Sequence, residues 1–454
     1  MLRCRSFMQK LDMKVKTEYN LYMLKRKISE TLLKWKTEKD KECLLIKGAR
    51  QVGKTFIIRE FGKTYKSFIE LNFITYAKFK KIFEGGDLSC DEIIKRVSLE
   101  IPEARFIPGE TLVFLDEIQN CPEARTALKF IAEDNRFDCI ASGSMLGIAY
   151  KGMSSIPVGY EKPVEMFSLD FEEFLWAAGF DGNALADIKT YFDKREKAPS
   201  SINDSMLKRL REYAAVGGMP AVVNKFIATS NFGEVHEEQA KIFDSYLDDI
   251  AKYAPTAEKP KARKCYLSAP RQLAKENKKF QYSTVEKGGA ARKFDGSLEW
   301  LRDAGLIKYC YNVSLPLFPL SAYVDDNYFK VYLTDIGILN HMYGFEMKSA
   351  IVNNTLTGPA KGGIYENLIA DFLIKKNKPL NYYKPSENRQ EIEFLLTVGE
   401  SIVPLEVKAG NNSTVSLDEF TAKFNPPYSI KLIHGNIGVA DKKITYPLYM
   451  ALFL

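Results

Sequence analysis

Eight consecutive residues constrain this chain more than any others. Gly48, Ala49, Arg50, Gln51, Val52, Gly53, Lys54 and Thr55 fit G-x-x-x-x-G-K-[ST] at every position. An apolar run, Leu44-Leu45-Ile46, precedes them, and the helix-compatible stretch FIIREF follows. Strand, glycine-rich turn, helix is the order in which backbone N–H groups and a helix N-terminus converge on an anion. The glycines let the backbone fold around phosphates, Lys54 is placed to reach the β- and γ-phosphates of ATP, and Thr55 to put its hydroxyl on Mg²⁺.

A matching half-site lies 61 residues beyond Thr55. Thr111–Glu117 reads TLVFLDE: four apolar residues form a buried strand that ends in two acids. Ligands bind at the carboxyl ends of strands in open α/β sheets. Asp116 is expected to hold Mg²⁺ through water, and Glu117 to orient or deprotonate the attacking water. A further strand, CIASGS, ends in Ser142 and Ser144. Either serine is a candidate γ-phosphate sensor; turn chemistry is the alternative reading. No arginine occurs from 137 to 194. A cis arginine finger after that strand is therefore missing, which leaves Lys151, Lys162 or a neighbouring chain to supply the charge and predicts slow basal turnover.

Composition sets the outer limits. The 454 residues suffice for about three domains at ~150 residues each. A hydrophobic share of 46% with 27% charged residues excludes wholesale disorder and collagen-like repeats. No apolar run approaches the ~18 residues of a spanning helix, so no membrane is expected. The apolar ending PLYMALFL suits a final core strand or helix. Seven cysteines form no close pair, and His236, His341 and His434 are isolated in sequence. Reduced thiols in a cytoplasmic protein fit this pattern better than a disulfide framework or a zinc site.

Strand and helix signals alternate from 42 to 180, which predicts an α/β fold with a parallel sheet covered by helices. Before it, MLKRKISETLLKWK places Leu24, Ile28, Leu32 and Leu33 near one helical face, with lysines over the solvent side. Residues 181–257 look helical, broken at Gly217-Gly218. From 258 to 345 the expected order is two short helices divided by Pro270, a third helix carrying Phe294, Leu298 and Leu301, and a two-strand hairpin. That is a winged-helix order, with Gly305 suited to end the third helix. From 346 to 454 a helix bearing Glu366 precedes strands bearing Glu393 and Glu406-Val407-Lys408. Residues i and i+2 of a strand share a face. Glu406 therefore points with Lys408, as Glu391 does with Glu393, and such a cluster is suited to binding Mg²⁺ and positioning a water.

GARQVGKT, FLDEIQ, the SGS turn, FSLDFEEFL (167–175) and YAAVGGMPAVV (213–223) together resemble the archaeal-type P-loop ATPase family of the AAA+/STAND superclass. That family carries a C-terminal accessory domain of unknown function, which is similar to the PD-(D/E)XK nuclease fold. The resemblance runs from about Met23 to the end and implies a Mg-ATP site at Gly48–Thr55, Asp116 and Glu117. Gln119 falls in the family's DEIQ motif, where it could contact nucleotide or relay its state. Tyr160 stands where the family usually has a basic residue, and residues 1–22 precede the usual start, as an extension or a misassigned start. The resemblance also implies a nuclease-like set of Glu366, Glu393, Glu406 and Lys408, although the family usually has Asp at the position of Glu393.

Positive charge is concentrated. Residues 259–293 hold 11 Lys/Arg against 2 Asp/Glu, and residues 1–41 hold 12 against 5. A local surplus of this size suggests a polyanion such as double-stranded DNA. On the winged-helix candidate, Arg292, Lys293 and Arg302 lie on the third helix after Lys275, Lys278 and Lys279, with Phe280 and Tyr282 interleaved; Glu299 and Asp303 share that helix. The leading expectation is a Mg-dependent ATPase whose nucleotide state moves a DNA- or protein-binding C-terminal module. The alternatives are a non-enzymatic ATP switch, scaffold or DNA-tethered regulator, and an ATP-gated nuclease. A homo-oligomer or partner protein is compatible with each.

Overall fold

The computed structural model describes residues 23–145, 159–385, 391–408 and 415–454. The expected extension 1–22 and Lys151 lie outside them. The chain adopts the α/β architecture expected of it. Five strands, β1 (Cys43–Gly48), β2 (Ser67–Asn72), β3 (Thr111–Asp116), β4 (Asp138–Ser144) and β5 (Glu161–Glu165), form one parallel sheet in the order β2-β3-β4-β1-β5. Alternation along these strands divides two cores. Leu44, Ile46, Leu112, Phe114 and Ile140 face the helix Lys54–Gly62, whereas Leu45, Leu71, Val113, Leu115 and Ala141 face the helices Cys90–Glu100 and Pro122–Asp134. A sheet covered on both faces needs apolar residues at successive positions, hence LLI and LVFL.

The helix before β1 spans Ile28–Lys36. It buries Leu32 and Trp35, while Leu33 is 51% exposed. The expected face is corrected by one position. Trp35 takes the inner place because it edges toward Phe61 at 6.4 Å and its indole donates to the Glu42 carbonyl.

Helices Gly182–Lys194, Ser200–Val216, Pro220–Thr229 and Phe232–Tyr253 follow the sheet. The second ends at Gly217, as the glycine pair required. Its last carbonyls are paid for by side chains from elsewhere: Asn340 Nδ2 donates to Ala214 O, and Gln239 Nε2 to both Ala215 O and Val216 O. Gly217 has φ +78°, and a Cβ on Gly218 would lie 2.0 Å from the Leu169 carbonyl. Close approach requires glycine here because Asp335 enters the same gap. Its buried carboxylate accepts from Ser168 Oγ at 2.8 Å, Gly218 N at 2.9 Å, Gly337 N at 2.9 Å and Ile338 N at 3.2 Å.

One continuous helix, Lys259–Leu273, replaces the two short helices expected around Pro270. The proline lies in its last turn, where its missing N–H removes one bond without ending the spiral, and its carbonyl accepts from Tyr343 Oη. Helices Tyr282–Val285 and Ala291–Asp303 and the antiparallel strands β6 (Ile307–Val313) and β7 (Val324–Leu333) come next. Phe294, Leu298 and Leu301 are buried as expected, and Gly305 has positive φ.

After helices Ile336–Met342 and Phe345–Val352, the long helix Gly358–Lys375 leads to β8 (Asn381–Tyr382), which pairs in parallel with β6. The hairpin and the C-terminal segment thus share a sheet. β9 (Phe394–Val398), β10 (Ser401–Lys408), β11 (Ser429–Ile433), β12 (Gly438–Ala440) and β13 (Lys443–Pro447) form a second five-stranded sheet in the order β12-β13-β11-β10-β9. The ending forms a buried 3₁₀ turn, Leu448–Phe453. Among the described residues no helix is long and apolar enough to cross a membrane.

Asp335→Ala would leave four donors unpaired at a junction of three segments. The variant should lose about 3 kcal/mol or more, read as a lower urea midpoint, with Asp335→Asn in between.

Candidate nucleotide site and acidic cluster

β1 ends at Gly48 and the helix Lys54–Gly62 begins six residues later, so the five residues Ala49–Gly53 make the turn. Gln51 and Gly53 have positive φ, the reversal that turns successive N–H groups inward. Lys54 is 8% exposed, and its Nζ donates to Gly48 O at 3.0 Å and Ala49 O at 2.9 Å. Burial pushes its pKa down to about 8, against the pull of Glu117 and Asp116 and with a push from Arg50.

Asp116 closes the opposite wall. Its carboxylate accepts from Thr55 Oγ1 at 3.2 and 3.3 Å, from Asn72 Nδ2 at 2.8 Å, and from Ser142 Oγ. Thr55, Asp116 and Ser142, read from sequence as one site, do meet. Ser142 is buried, and its hydroxyl donates to Asp116. Ser144 is the last residue of β4. Asn72 escaped the sequence reading. Its signal was a polar residue ending an apolar strand at the level of Asp116, its register partner.

Glu117 follows in the left-handed region at φ +60°, which aims its side chain away from the strand axis. Gln119 Nε2 donates to Glu117 Oε2 at 2.5 Å. Of the expected substitutes for an arginine, Lys162 pairs with Glu38 at the surface, and Lys151 lies outside the described residues. Arg59 forms a bidentate pair with Glu70, and Arg50 pairs with Asp249 at 2.5 Å. Burial, the largest influence on Asp249, raises its pKa despite Arg50.

The outer side of the turn is held by other segments. Gln51 Nε2 donates to Ser245 Oγ, and Tyr246 Oη to Arg50 O, so the helix Phe232–Tyr253 grips two turn residues through three contacts. Arg26, also missed, is buried; its Nη1 donates to Val52 O at 3.0 Å and Nη2 to Phe167 O at 2.7 Å. Its signal was a lone arginine among lysines before a strand, too weak to single out.

The acidic residues of the C-terminal segment also meet, but with lysines among them. Leu405 pairs with Phe394, so Glu406 and Glu393 are the next cross-strand neighbours. Glu393 lies one residue before β9 rather than within it. Lys408 Nζ is 3.2 Å from both Glu393 Oε1 and Glu406 Oε1. Burial pushes Glu393 up to about 7 and raises Glu406, in both cases against Lys408. Burial acts on Glu366 in the same sense, but Lys330 and Lys278 outweigh it and hold the group below its ordinary value. Lys278 is 2.7 Å from Glu366, and Lys330, fully buried, reaches Glu366 and Glu391. Among the described residues no three His, Cys, Asp or Glu side chains are grouped to hold a metal ion.

Much of the basic segment is paired internally. Lys264 and Lys293 share Glu286, Lys278 is taken by Glu366, and Lys275 is spent on Gln281 and Thr284. Phe280, expected as an interleaved surface aromatic, is buried against Phe329, and Tyr282 stacks on Phe294. Arg263, Arg271, Lys287 and Arg292 remain exposed.

Residues 40–175 match the family model of the AAA domain. Residues 207–349 and 361–450 match two domains of unknown function, DUF8612 and DUF4143. No curated protein matches the chain. Among solved structures, the Walker-type ATPase PABY2304 of Pyrococcus abyssi is 14% identical over 71% of this chain and 96% of that one, with a TM-score of 0.41. The ORC1 protein of Aeropyrum pernix, solved in complex with DNA, is 14% identical over 75% and 94%, with a TM-score of 0.28. Residues 40–175 are thus similar to an AAA domain, and their parallel sheet with the turn after β1 matches a P-loop NTPase core.

The raised Glu393 fixes a pH dependence. The folded state keeps a proton there to about pH 7 that the unfolded chain loses near 4.5. Stability from this group therefore falls as pH rises between those values. Glu393→Gln should remove that decline, on the order of 2 kcal/mol, in chemical denaturation at pH 5 and 7.5.

Proposed function

We propose that this protein is a Mg-ATP-dependent ATPase whose nucleotide state is passed to its C-terminal segments. The observation that carries this reading is the convergence of Lys54, Thr55, Asp116 and Glu117 at the carboxyl ends of β1 and β3, beside the turn Ala49–Gly53. Lys54 would leave the carbonyls of Gly48 and Ala49 for the β- and γ-phosphates. Thr55 and Asp116, hard oxygen donors already 3.2 Å apart, fit Mg²⁺ and would hold it. Held by Thr55 and Asp116, Mg²⁺ would supply positive charge against the phosphates. Glu117 would orient the attacking water. The grip of the helix Phe232–Tyr253 on Arg50 and Gln51 supports coupling from the turn into the region 207–349.

A second reading, an ATP-held switch or scaffold with little turnover, is favoured by one observation: Arg26, Arg50 and Arg59, around the site, are each tied to an acid. A partner protein or second copy would then supply the missing charge. Exposed Arg263, Arg271, Lys287 and Arg292 support contact between a winged-helix-like segment and double-stranded DNA, through phosphates rather than bases. Lys408 between Glu393 and Glu406 supports a nuclease-like C-terminal fold, while the lysines on Glu366 weigh against a working metal site.

Phosphate release from Mg-ATP, with and without double-stranded DNA, tests the assignment. Lys54→Ala should abolish ATP binding. Glu117→Gln should keep binding and lose at least about 100-fold in turnover. ATP binding without turnover in the wild-type chain would favour the switch.

Lys54 adds a pH signature. Bound phosphates favour its ammonium form, so the complex holds a proton that the empty site releases above about pH 8. ATP affinity should be flat below that pH and weaken above it, by up to about tenfold per unit. Lys54→Arg should remove the slope in titrations from pH 7 to 9.5.

A further inference from the structure

Glu117 is held by more than the strand it follows. Its carbonyl accepts from Asn120 N at 3.0 Å and Asn120 Nδ2 at 3.2 Å, which closes the short turn Ile118–Asn120 back onto it. Within that turn Gln119 Nε2 donates to Glu117 Oε2. The amide orientation is dictated by chemistry. A carboxylate only accepts, so a flipped amide would set two acceptors against each other. The cost of the observed orientation is visible, since Gln119 Oε1 is buried with no hydrogen-bond partner. The contact to Glu117 is therefore the only side-chain bond that Gln119 makes among the described residues. The second carboxylate oxygen, Glu117 Oε1, takes no hydrogen bond from the described residues. Glu117 directly follows Asp116, whose carboxylate accepts from Thr55 Oγ1, so it stands at the carboxyl end of β3 beside the turn Ala49–Gly53.

We propose that Gln119 is a positioning residue for hydrolysis: it pins one oxygen of Glu117 so that the other meets the attacking water, and it does not hold the nucleotide. This rests on the ATPase reading above. In the step concerned, the water oxygen bonds to the γ-phosphorus and the bond from that phosphorus to the bridging oxygen breaks. ADP leaves with the bridging oxygen, and the water's proton passes to Glu117 and on to the released phosphate. Gln119 itself exchanges no proton. It restricts the swing of a carboxylate that three rotatable bonds would otherwise leave loose.

The test measures kcat for phosphate release and, separately, the Kd of a fluorescent ATP analogue, on the full chain. Gln119→Leu should lower kcat at least about tenfold, the loss expected for a hydrogen bond to a charged group, with Kd within about twofold of wild type. In a Glu117→Gln background the same substitution should cost nothing further, because there is no carboxylate left to position. Gln119→Glu, which sets a second carboxylate against the first, should also lower kcat without changing Kd, and it decides the matter if the leucine variant fails to fold. Unchanged kcat in both variants, a raised Kd with normal kcat, or full additivity with Glu117→Gln would overturn the proposal. No turnover by the wild-type chain would instead remove the ATPase reading, and this proposal with it.

Discussion

The Asp335 carboxylate is the contact on which the remaining arrangement depends. It takes the hydroxyl of Ser168 from the segment after β5, the N–H of Gly218 from the break between two helices, and two N–H groups of the helix it begins. One buried acceptor group therefore sets the distance between the parallel sheet, the helical region and the segment leading to the C-terminal sheet. Burying a charge is costly unless its hydrogen bonds are complete, and here they are supplied from three places in the chain. Beside it Lys375 Nζ donates to the Leu169 carbonyl, to Tyr213 Oη and to Asp371, and Tyr213 Oη lies 2.8 Å from Asp371 and 2.9 Å from the Leu169 carbonyl. The segment 168–170 is thus fixed from both sides, and the sheet edge that bears the nucleotide turn inherits that rigidity.

Around the turn, chemistry and support come from different parts of the sequence. Lys54, Thr55 and Asp116 come from strand ends and a helix start, where the backbone itself sets direction. Arg26, Tyr246, Ser245 and Asp249 hold the same loop from outside, on carbonyls and on side chains at the variable positions of the motif. Those variable positions need no particular residue for phosphate binding. In this chain they are the points at which the loop is attached to its surroundings.

What was legible in the sequence follows this division. The parallel sheet, the pairing of Thr55 with Asp116, the helix end at Gly217 and the buried face of Ala291–Asp303 all follow from local period and motif. Trp35 displaced Leu33 because a distant ring, Phe61, decided which side faced inward. Pro270 did not divide its helix because a proline in a last turn forfeits little. Asn72 and Arg26 were missed because their partners lie 44 and 26 residues away, and single polar residues carry no period. The basic surplus of 259–293 was real as composition but misleading as surface, since Glu286 and Glu366 absorb part of it. Only the three-dimensional neighbours of a lysine show whether its charge is spent.

The helix Phe232–Tyr253 has a consequence of scale. At 22 residues it is about 33 Å long. Its C-terminal turns grip Arg50 and Gln51, while its first turn carries His236, whose ring lies 4.5 Å from that of His341 and whose Nδ1 lies 3.1 Å from the buried ammonium of Lys348. A stiff rod held at one end by a loop and seated at the other among three basic side chains is a lever with its load already attached. A fraction of an ångström at the turn becomes a tilt that the far end must accommodate, so the tolerance of the turn is set in part by packing about 15–20 Å away along the helix.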